Sequence, residues 1–205
     1  MAQYSFINLV KREAKAYQKS KGVSLAQAQE HIARDAGFAH YHEMVSVSKS
    51  NPYESRLMLR ALGVEDFESV LYLDSIWYGL DHLVQDLLNG PIAETNAMMF
   101  TVENMDVASA DYDDESGLLI LDVYFEYHGE QDEDRPWCGN EFYIDAKIKL
   151  VFREGWEFSY EAPLVIAKVE SDRDLDREAE MEYLDDKQKV ERQELDMKNF
   201  EWGKF

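Results

Sequence analysis

The segment Glu141 to Arg153 alternates apolar and polar residues almost without a fault, and this constrains the fold more than any other feature. Phe142, Ile144, Ala146, Ile148, Leu150 and Phe152 fall on one side. Glu141, Tyr143, Asp145, Lys147, Lys149, Val151 and Arg153 fall on the other. Side chains leave a strand on alternate faces, so period two with one apolar face predicts a half-buried strand. Glu154-Gly155 predicts a tight turn in which glycine supplies a positive φ, and Trp156, Phe158 and Tyr160 resume the alternation as a hairpin partner. The same pattern occupies Leu118 to His128: Leu119, Leu121, Val123, Phe125 and Tyr127 form one face, and Asp122, Tyr124, Glu126 and His128 the other. A first strand is expected over Ala97–Val107, followed by an acidic turn over Asp111–Gly117. A fourth strand runs or bends past Pro163 to Val169, where a proline fits an edge or a bulge.

Upstream the period becomes helical. Within residues 3–21, Phe6, Leu9, Val10, Ala14 and Tyr17 share a side, and Lys19, Lys21 and Gly22 close the helix. Ser24 with Gln27 three residues on is a capping-box pattern that opens a second helix, which Gly37 ends. A third short helix is expected over 39–48 and a fourth over 52–62, the latter starting at Pro52 and ending at Gly63. Residues 65–89 are apolar on too many sides for a thin stripe. They predict two helices, or one kinked helix, buried against both the N-terminal helices and the sheet and stopped by Asn89-Gly90-Pro91. Helices followed by consecutive antiparallel strands define an α+β fold: an N-terminal helical module, a four-stranded antiparallel meander packed on helices, and a charged C-terminal helix. The expected division is residues 1–50, 51–170 and 171–205.

Residues Val23 to Met44 read VSLAQAQEHIARDAGFAHYHEM. This resembles a short helical module of the form SLxxAQxxIAxxxGFxxWxxL, found in assorted bacterial, plasmid and phage proteins. Tyr41 stands where that module commonly has tryptophan, and Met44 where it has leucine. The resemblance covers roughly Ile7 to Val47 and rests on packing residues. It implies a three-helix unit and a bacterial or mobile-element origin, and no reaction.

The 205 residues carry a net charge of −21, unevenly spread. Residues 1–60 hold nine Lys/Arg against five Asp/Glu, and residues 61–205 hold twelve against thirty-seven. The acidic part argues against broad nucleic-acid or anionic-membrane binding, because both need positive charge. Cys138 is the only cysteine, which excludes an intramolecular disulfide and fits a reducing cytosol. The start Met1-Ala-Gln-Tyr-Ser is not a secretory signal, and no apolar run approaches the roughly 18–20 residues of a membrane span. A cytoplasmic protein with no membrane partner is expected.

Patterns that carry chemistry fail on spacing. Calcium loops begun at Asp111, Asp132 or Asp172 meet Ser116, Arg135 or Arg177 where glycine or an acid is required. His40 and His42 point to different sides of a helix, and His128 with Cys138 makes two ligands, so no metal or cofactor is expected. The sequence around Cys138 is mainly acidic, which disfavours a thiolate. No nucleophile elbow or phosphate loop is present, and no catalytic residue is assigned. An enzymatic pocket between the 65–89 helices and the sheet would be lined by Trp77, Tyr78 and His82.

The reading that remains is an acidic interaction protein that binds a basic protein surface, in the extreme a DNA-mimic-like inhibitor or an adaptor from a mobile element. The acidic face of the sheet takes part, and the loop Gly129–Gly139 supplies Glu130, Asp132, Glu133 and Asp134, with Trp137 as aromatic anchor. The C-terminal helix supplies Asp174, Glu178 and Glu182. The alternative is a DNA-binding regulator that uses Lys11, Arg12, Lys15, Lys19 and Arg34 on the N-terminal helices. Its candidate second helix, however, carries no Arg, Lys or Gln to reach base edges until Lys49.

Overall fold

The computed structural model describes residues 2–202, with side-chain surroundings described for residues 2–193. Helices α1 (Phe6–Lys21), α2 (Leu25–Asp35), α3 (Tyr41–Ser50) and α4 (Ser55–Leu62) come first. A 3₁₀ turn at Glu68–Val70 leads into α5 (Asp74–Ala93). Strands β1 (Ala97–Asp113), β2 (Leu118–Gln131), β3 (Glu141–Phe152), β4 (Trp156–Phe158) and β5 (Leu164–Ser171) follow, and α6 (Asp172–Trp202) ends the order. The fold is α+β.

The helix ends form for the reasons their sequences suggest. Ser24 and Gln27 make the reciprocal capping box: the Ser24 N–H donates to Gln27 Oε1 at 3.0 Å and the Gln27 N–H to Ser24 Oγ at 3.3 Å. Gly37, at φ +82°, turns the chain so that the Phe38 N–H reaches the Ala33 carbonyl at 2.9 Å. Arg60 on α4 clips the module together, donating to Glu13 of α1 at 2.8 Å and to Asp35 at the end of α2 at 2.7 Å. Two expectations fail: α4 starts not at Pro52 but at Ser55, where the Glu54 carboxylate accepts from the Leu57 N–H at 3.0 Å, and Asn89-Gly90-Pro91 does not stop α5, which continues to Ala93 with Pro91 inside it. Pro91 lies in the last turn, where its missing N–H forfeits a single helical bond, and Ile92 packs against the core beyond it.

The sheet is a meander in the order β1-β2-β3-β4, and β5 also pairs with β3. β4 and β5 thus share one edge of β3, taking its two ends: Leu150–Phe152 pair with β4, and Phe142–Ile148 with β5. They are the expected fourth strand, broken by a bend at Ser159–Pro163 where Ala162 has φ +46°. The bend overturns the expected continuation of the alternation, for Trp156 is buried but Tyr160 is fully exposed. The β3–β4 link also differs from expectation. Phe152 pairs with Trp156, which leaves a three-residue loop closed by the Arg153 N–H on the Gly155 carbonyl at 3.0 Å, and Gly155 is not among the glycines of positive φ. β1 is longer than expected, running to Asp113, so the turn shrinks to residues 114–117. Three register shifts break the period of β1, with Met99 and Asn104 at positive φ, and they hide the strand from a period-two reading.

Buried apolar residues from Phe6 to Leu164 form one cluster. Leu119, Leu121, Phe125 and Tyr127 of β2, and Ile144, Ile148 and Leu150 of β3, have no exposed surface. Each such side chain contributes about 1.5–3 kcal/mol when taken fully out of water. Two polar contacts fasten the helical part to the sheet: Trp156 Nε1 donates to the Leu62 carbonyl at the end of α4 at 3.1 Å, buried, and the Tyr112 hydroxyl to the Tyr4 carbonyl just before α1 at 3.0 Å, partly buried. Beyond Asp174 the described side chains of α6 are exposed. Phe200, Trp202 and Phe205, expected to be apolar anchors, lie outside the described side chains. Among the described residues no helix is long and apolar enough to cross a membrane.

Candidate interaction surface

The loop between β2 and β3 is held at both ends. At its start the Asp132 N–H donates to the Asn96 carbonyl at 3.3 Å. The Asp132 side chain then accepts from the Asp134 N–H at 3.0 Å and pairs with Arg135 at 3.2 Å. Asn96 Nδ2 holds the Pro136 carbonyl at 2.7 Å, and Trp137 Nε1 lies 3.4 Å from Asn140 Oδ1. At its end Asn140 bridges β2 and α6. Its Nδ2 donates to the Gly129 carbonyl at 3.0 Å and approaches His128 Nε2 at 3.5 Å, while its backbone N–H donates to Asp172 Oδ2 at 2.9 Å. Gly139 has φ +88°, and a Cβ there would stand 2.7 Å from Asp172 Oδ1. Glycine is required for this loop to close on the start of α6.

This joint places Cys138 in surroundings its sequence neighbours do not suggest. Sγ lies 3.6 Å from Arg173 Nη1 and donates to the Glu94 carbonyl at 3.4 Å, while Arg173 Nη2 pairs with Glu94 at 3.3 Å. The surroundings stay mainly acidic, with Glu94, Asp172 and Asp174 lining the adjoining cleft, but they include a cation that the sequence neighbours do not supply. α6 delivers a guanidinium from 35 positions away, and a cleft of about 350 Å³ opens beside it. His128 reaches Asn140, and no hydrogen bond joins it to Cys138 among the described contacts.

The proposed partner residues divide accordingly. Glu130, Asp132, Glu133, Asp134 and the half-exposed Trp137 gather at one end of the sheet, and the joint at Asp172 brings Asp174 to the same end. Glu178 and Glu182 are exposed and farther along α6; at about 1.5 Å per residue, Glu182 lies roughly 12 Å past Asp174. Ser171 caps the helix, its Oγ accepting from the Asp174 N–H at 3.1 Å and donating to the Asp174 carboxylate at 2.8 Å, and that carboxylate also pairs with Arg177 at 2.8 Å.

The larger acidic feature is the sheet face opposite the core. Side chains of directly paired residues share a face, so the registers define rows across the strands. One row is Glu103–Glu126–Tyr143–Glu170 and the next Asp106–Tyr124–Asp145–Lys168. Ser109–Asp122–Lys147 follows on one side, and Thr101–His128–Glu141 on the other. Lys147 pairs with Asp122 and Lys168 with Glu170, and Asn104 donates to Glu126. Glu103, Asp106, Glu141 and Asp145 have no ion-pair partner among the described residues. Two tyrosines on this face hold their protons more tightly than usual. The Tyr143 hydroxyl donates to Glu141 at 2.9 Å, and that bond, with burial and the charges of Glu141, Asp172 and Glu126, pushes its pKa up to about 12. Burial and the Glu126 carboxylate push Tyr124 up as well. Asp122 is held below the usual carboxylate range by Lys147 and Ser109.

Sequence reasoning separated the two faces of β2 and β3 and included the acidic face in the expected binding surface, but singled out none of Tyr124, Glu126, Glu141, Tyr143 or Asp145 as a site residue. Their shared face was the available signal. Glu103 and Asp106 were hidden by the bulges of β1, and no local signal pointed to Asp172 or Arg173.

The residues of the nucleic-acid alternative, Lys11, Arg12, Lys15, Lys19 and Arg34, are all exposed, the first four on α1 and the last on α2. Helix α3 offers no cation to a base edge before Lys49, and its first turn carries Glu43, whose carboxylate is occupied by the Ala39 N–H at 2.6 Å. Trp77 stacks on Tyr72 with centroids 5.7 Å apart, whereas Tyr78 and His82 are exposed; the three do not converge on an enclosed cavity. Among the described residues no group of three His, Cys, Asp or Glu is placed to hold a metal ion. Comparison of the chain with protein-family models, with curated proteins and with solved structures finds no match.

Proposed function

We propose that the protein is a non-enzymatic acidic interaction protein whose open sheet face and adjoining loop engage a basic protein surface. The observation that carries this reading is the cross-strand lattice of carboxylates and tyrosines on β1, β2, β3 and β5. It adjoins a loop that displays Glu130, Glu133, Asp134 and Trp137. Carboxylates held on a rigid sheet meet a basic surface with little ordering cost, and complementary potential speeds encounter and rejects wrong partners. Trp137 supplies an amphipathic anchor at the border of the patch. A partner that ordinarily holds nucleic acid would make the protein a DNA-mimic-like inhibitor; one that does not would make it an adaptor. A bacterial, phage or plasmid setting is part of the same proposal and rests on the resemblance of the N-terminal helices.

The test uses the full chain, immobilised, against an extract at low ionic strength. A basic protein is expected to bind, to elute as salt rises, and to be lost from a variant carrying Glu126→Gln, Glu141→Gln, Asp145→Asn and Trp137→Ala. Retention that is indifferent to salt, or an unchanged set of bound proteins on the variant, would refute the reading.

A further inference from the structure

The other end of the sheet carries a second and different feature. Where β1 approaches its turn, Tyr112 meets the chain that leads into α4 and the segment that follows it. Tyr53, Phe67 and Tyr112 wall an open cleft of about 360 Å³ there. The rings of Tyr53 and Phe67 stand 5.8 Å apart at 68°, as adjoining walls, and those of Phe67 and Tyr112 lie 5.2 Å apart at 32°. Phe6 backs both tyrosines, with centroids 5.8 Å from Tyr53 and 5.6 Å from Tyr112, so the walls are fixed from behind. The Tyr112 hydroxyl is already used on the Tyr4 carbonyl, so Tyr112 turns its ring to the cleft. Glu65, Asp66 and Asp111, all exposed, complete the lining, which contains no lysine, arginine or histidine.

We propose that this cleft binds an organic cation, an alkylammonium or guanidinium head, seated against the ring faces of Tyr53 and Phe67 and balanced by Glu65, Asp66 and Asp111. An anion would be repelled by three carboxylates. A bare metal ion is not matched, because among the described residues no three such groups are placed to hold one. A neutral apolar ligand would fit the rings but has no use for the acidic rim. A cation with an apolar shell uses both: the negative ring faces attract it, and its weak hydration makes desolvation cheap. The site is separate from the loop and sheet face and stands whether or not they bind a basic partner.

The experiment is a titration of the full chain, followed by calorimetry and by the aromatic resonances of Tyr53 and Phe67. The probes are choline, arginine amide and the neutral carbon isostere of choline. Choline or arginine amide is expected to bind saturably and the isostere more weakly. Tighter choline binding would assign the site to a free small cation, and tighter arginine amide binding to a side chain from a peptide; either supports the proposal. Tyr53→Ala removes a half-exposed ring and is expected to weaken binding roughly two- to fivefold. The triple variant Glu65→Gln, Asp66→Asn, Asp111→Asn leaves the rings in place and should weaken binding while flattening its salt dependence, so it keeps the test sound if Tyr53→Ala disturbs the fold. Equal affinity for choline and its isostere, no saturable binding of either cation, or unchanged binding by the triple variant would overturn the proposal.

Discussion

Replacing Gly139 with alanine should open the joint between the acidic loop and α6 while leaving the core intact. Two costs follow from the geometry. Gly139 sits at φ +88°, in the left-handed region, where an L side chain costs about 1–2 kcal/mol. The new Cβ would also lie 2.7 Å from Asp172 Oδ1, so the carboxylate must retreat by about 0.7 Å to reach ordinary contact at 3.4 Å. That retreat strains the bonds Asp172 accepts from the Asn140 N–H at 2.9 Å and the Arg173 N–H at 2.8 Å. A hydrogen bond to a charged group contributes about 1.5–3 kcal/mol, and Asp172 is only partly buried, so the low end applies. The joint should weaken by about 2–4 kcal/mol in all. Native-state hydrogen exchange at the Asn140 amide reads this directly, because local opening can occur without global unfolding. Exchange should quicken at least tenfold, about 1.4 kcal/mol, while amides of β2 and β3 such as Phe125 and Ile144 keep their protection. Combining Gly139→Ala with Asp172→Ala removes the oxygen that the Cβ meets, so the double variant should lose less than the sum of the two single changes. An unchanged Asn140 amide, or strictly additive losses, would refute the reasoning.

Other consequences are as direct. The Tyr127 hydroxyl is fully buried and has no hydrogen-bond partner among the described residues, whereas its ring stacks on Phe100 at 5.4 Å; Tyr127→Phe keeps the ring and should leave stability unchanged or raise it by about 1 kcal/mol in denaturant titrations. Tyr143 ionises at about 12 in the folded chain against an ordinary 10.0, so the fold retains a proton that the unfolded chain loses first. Its contribution is therefore complete below pH 10 and is lost as pH rises from 10 towards 12; Glu141→Gln should bring the folded pKa down in an ultraviolet difference titration. Glu103 lies directly opposite Glu126, and like charges so placed repel. Glu103→Lys should stabilise the fold by about 0.2–1 kcal/mol at low salt, an effect that shrinks as salt is added, and should weaken any basic partner.

What could be read in the sequence followed the strength of the local periods. β2 and β3 are regular, so each core residue from Leu119 to Tyr127 and from Phe142 to Phe152 announced its face. β1 carries three register shifts, and its extension to Tyr112 and Asp113 could not be seen from alternation. The loop–helix joint was invisible for another reason. It depends on Asp172 and Arg173 reaching Gly139 and Cys138 through space, and no local propensity encodes a contact between positions so far apart. The acidic aromatic cleft combines Tyr53, Phe67 and Tyr112 from three separated segments and was hidden for the same reason.

The lattice of carboxylates on the open face bears on why the chain is so acidic. Solubility alone is served by charges spread over flexible surface residues, where repulsion is screened and weak. Here carboxylates stand in register on rigid strands: Glu103 faces Glu126, and Asp106 and Asp145 flank Tyr124 on either side. Cross-strand neighbours lie about 4.5–5.5 Å apart, inside the screening length of about 8 Å at physiological salt. Tyr143, hydrogen-bonded to Glu141 and partly buried beside these charges, holds its proton to about 12. The arrangement weakens the fold where Glu103 faces Glu126, while Lys147 and Lys168 offset the charges of Asp122, Asp145 and Glu170. A positive surface that meets Glu103 and Glu126 would turn their mutual repulsion into an attraction across the interface. On this view the stabilisation by Glu103→Lys and the weakened binding of a basic partner have one cause, and should fall together as salt is raised.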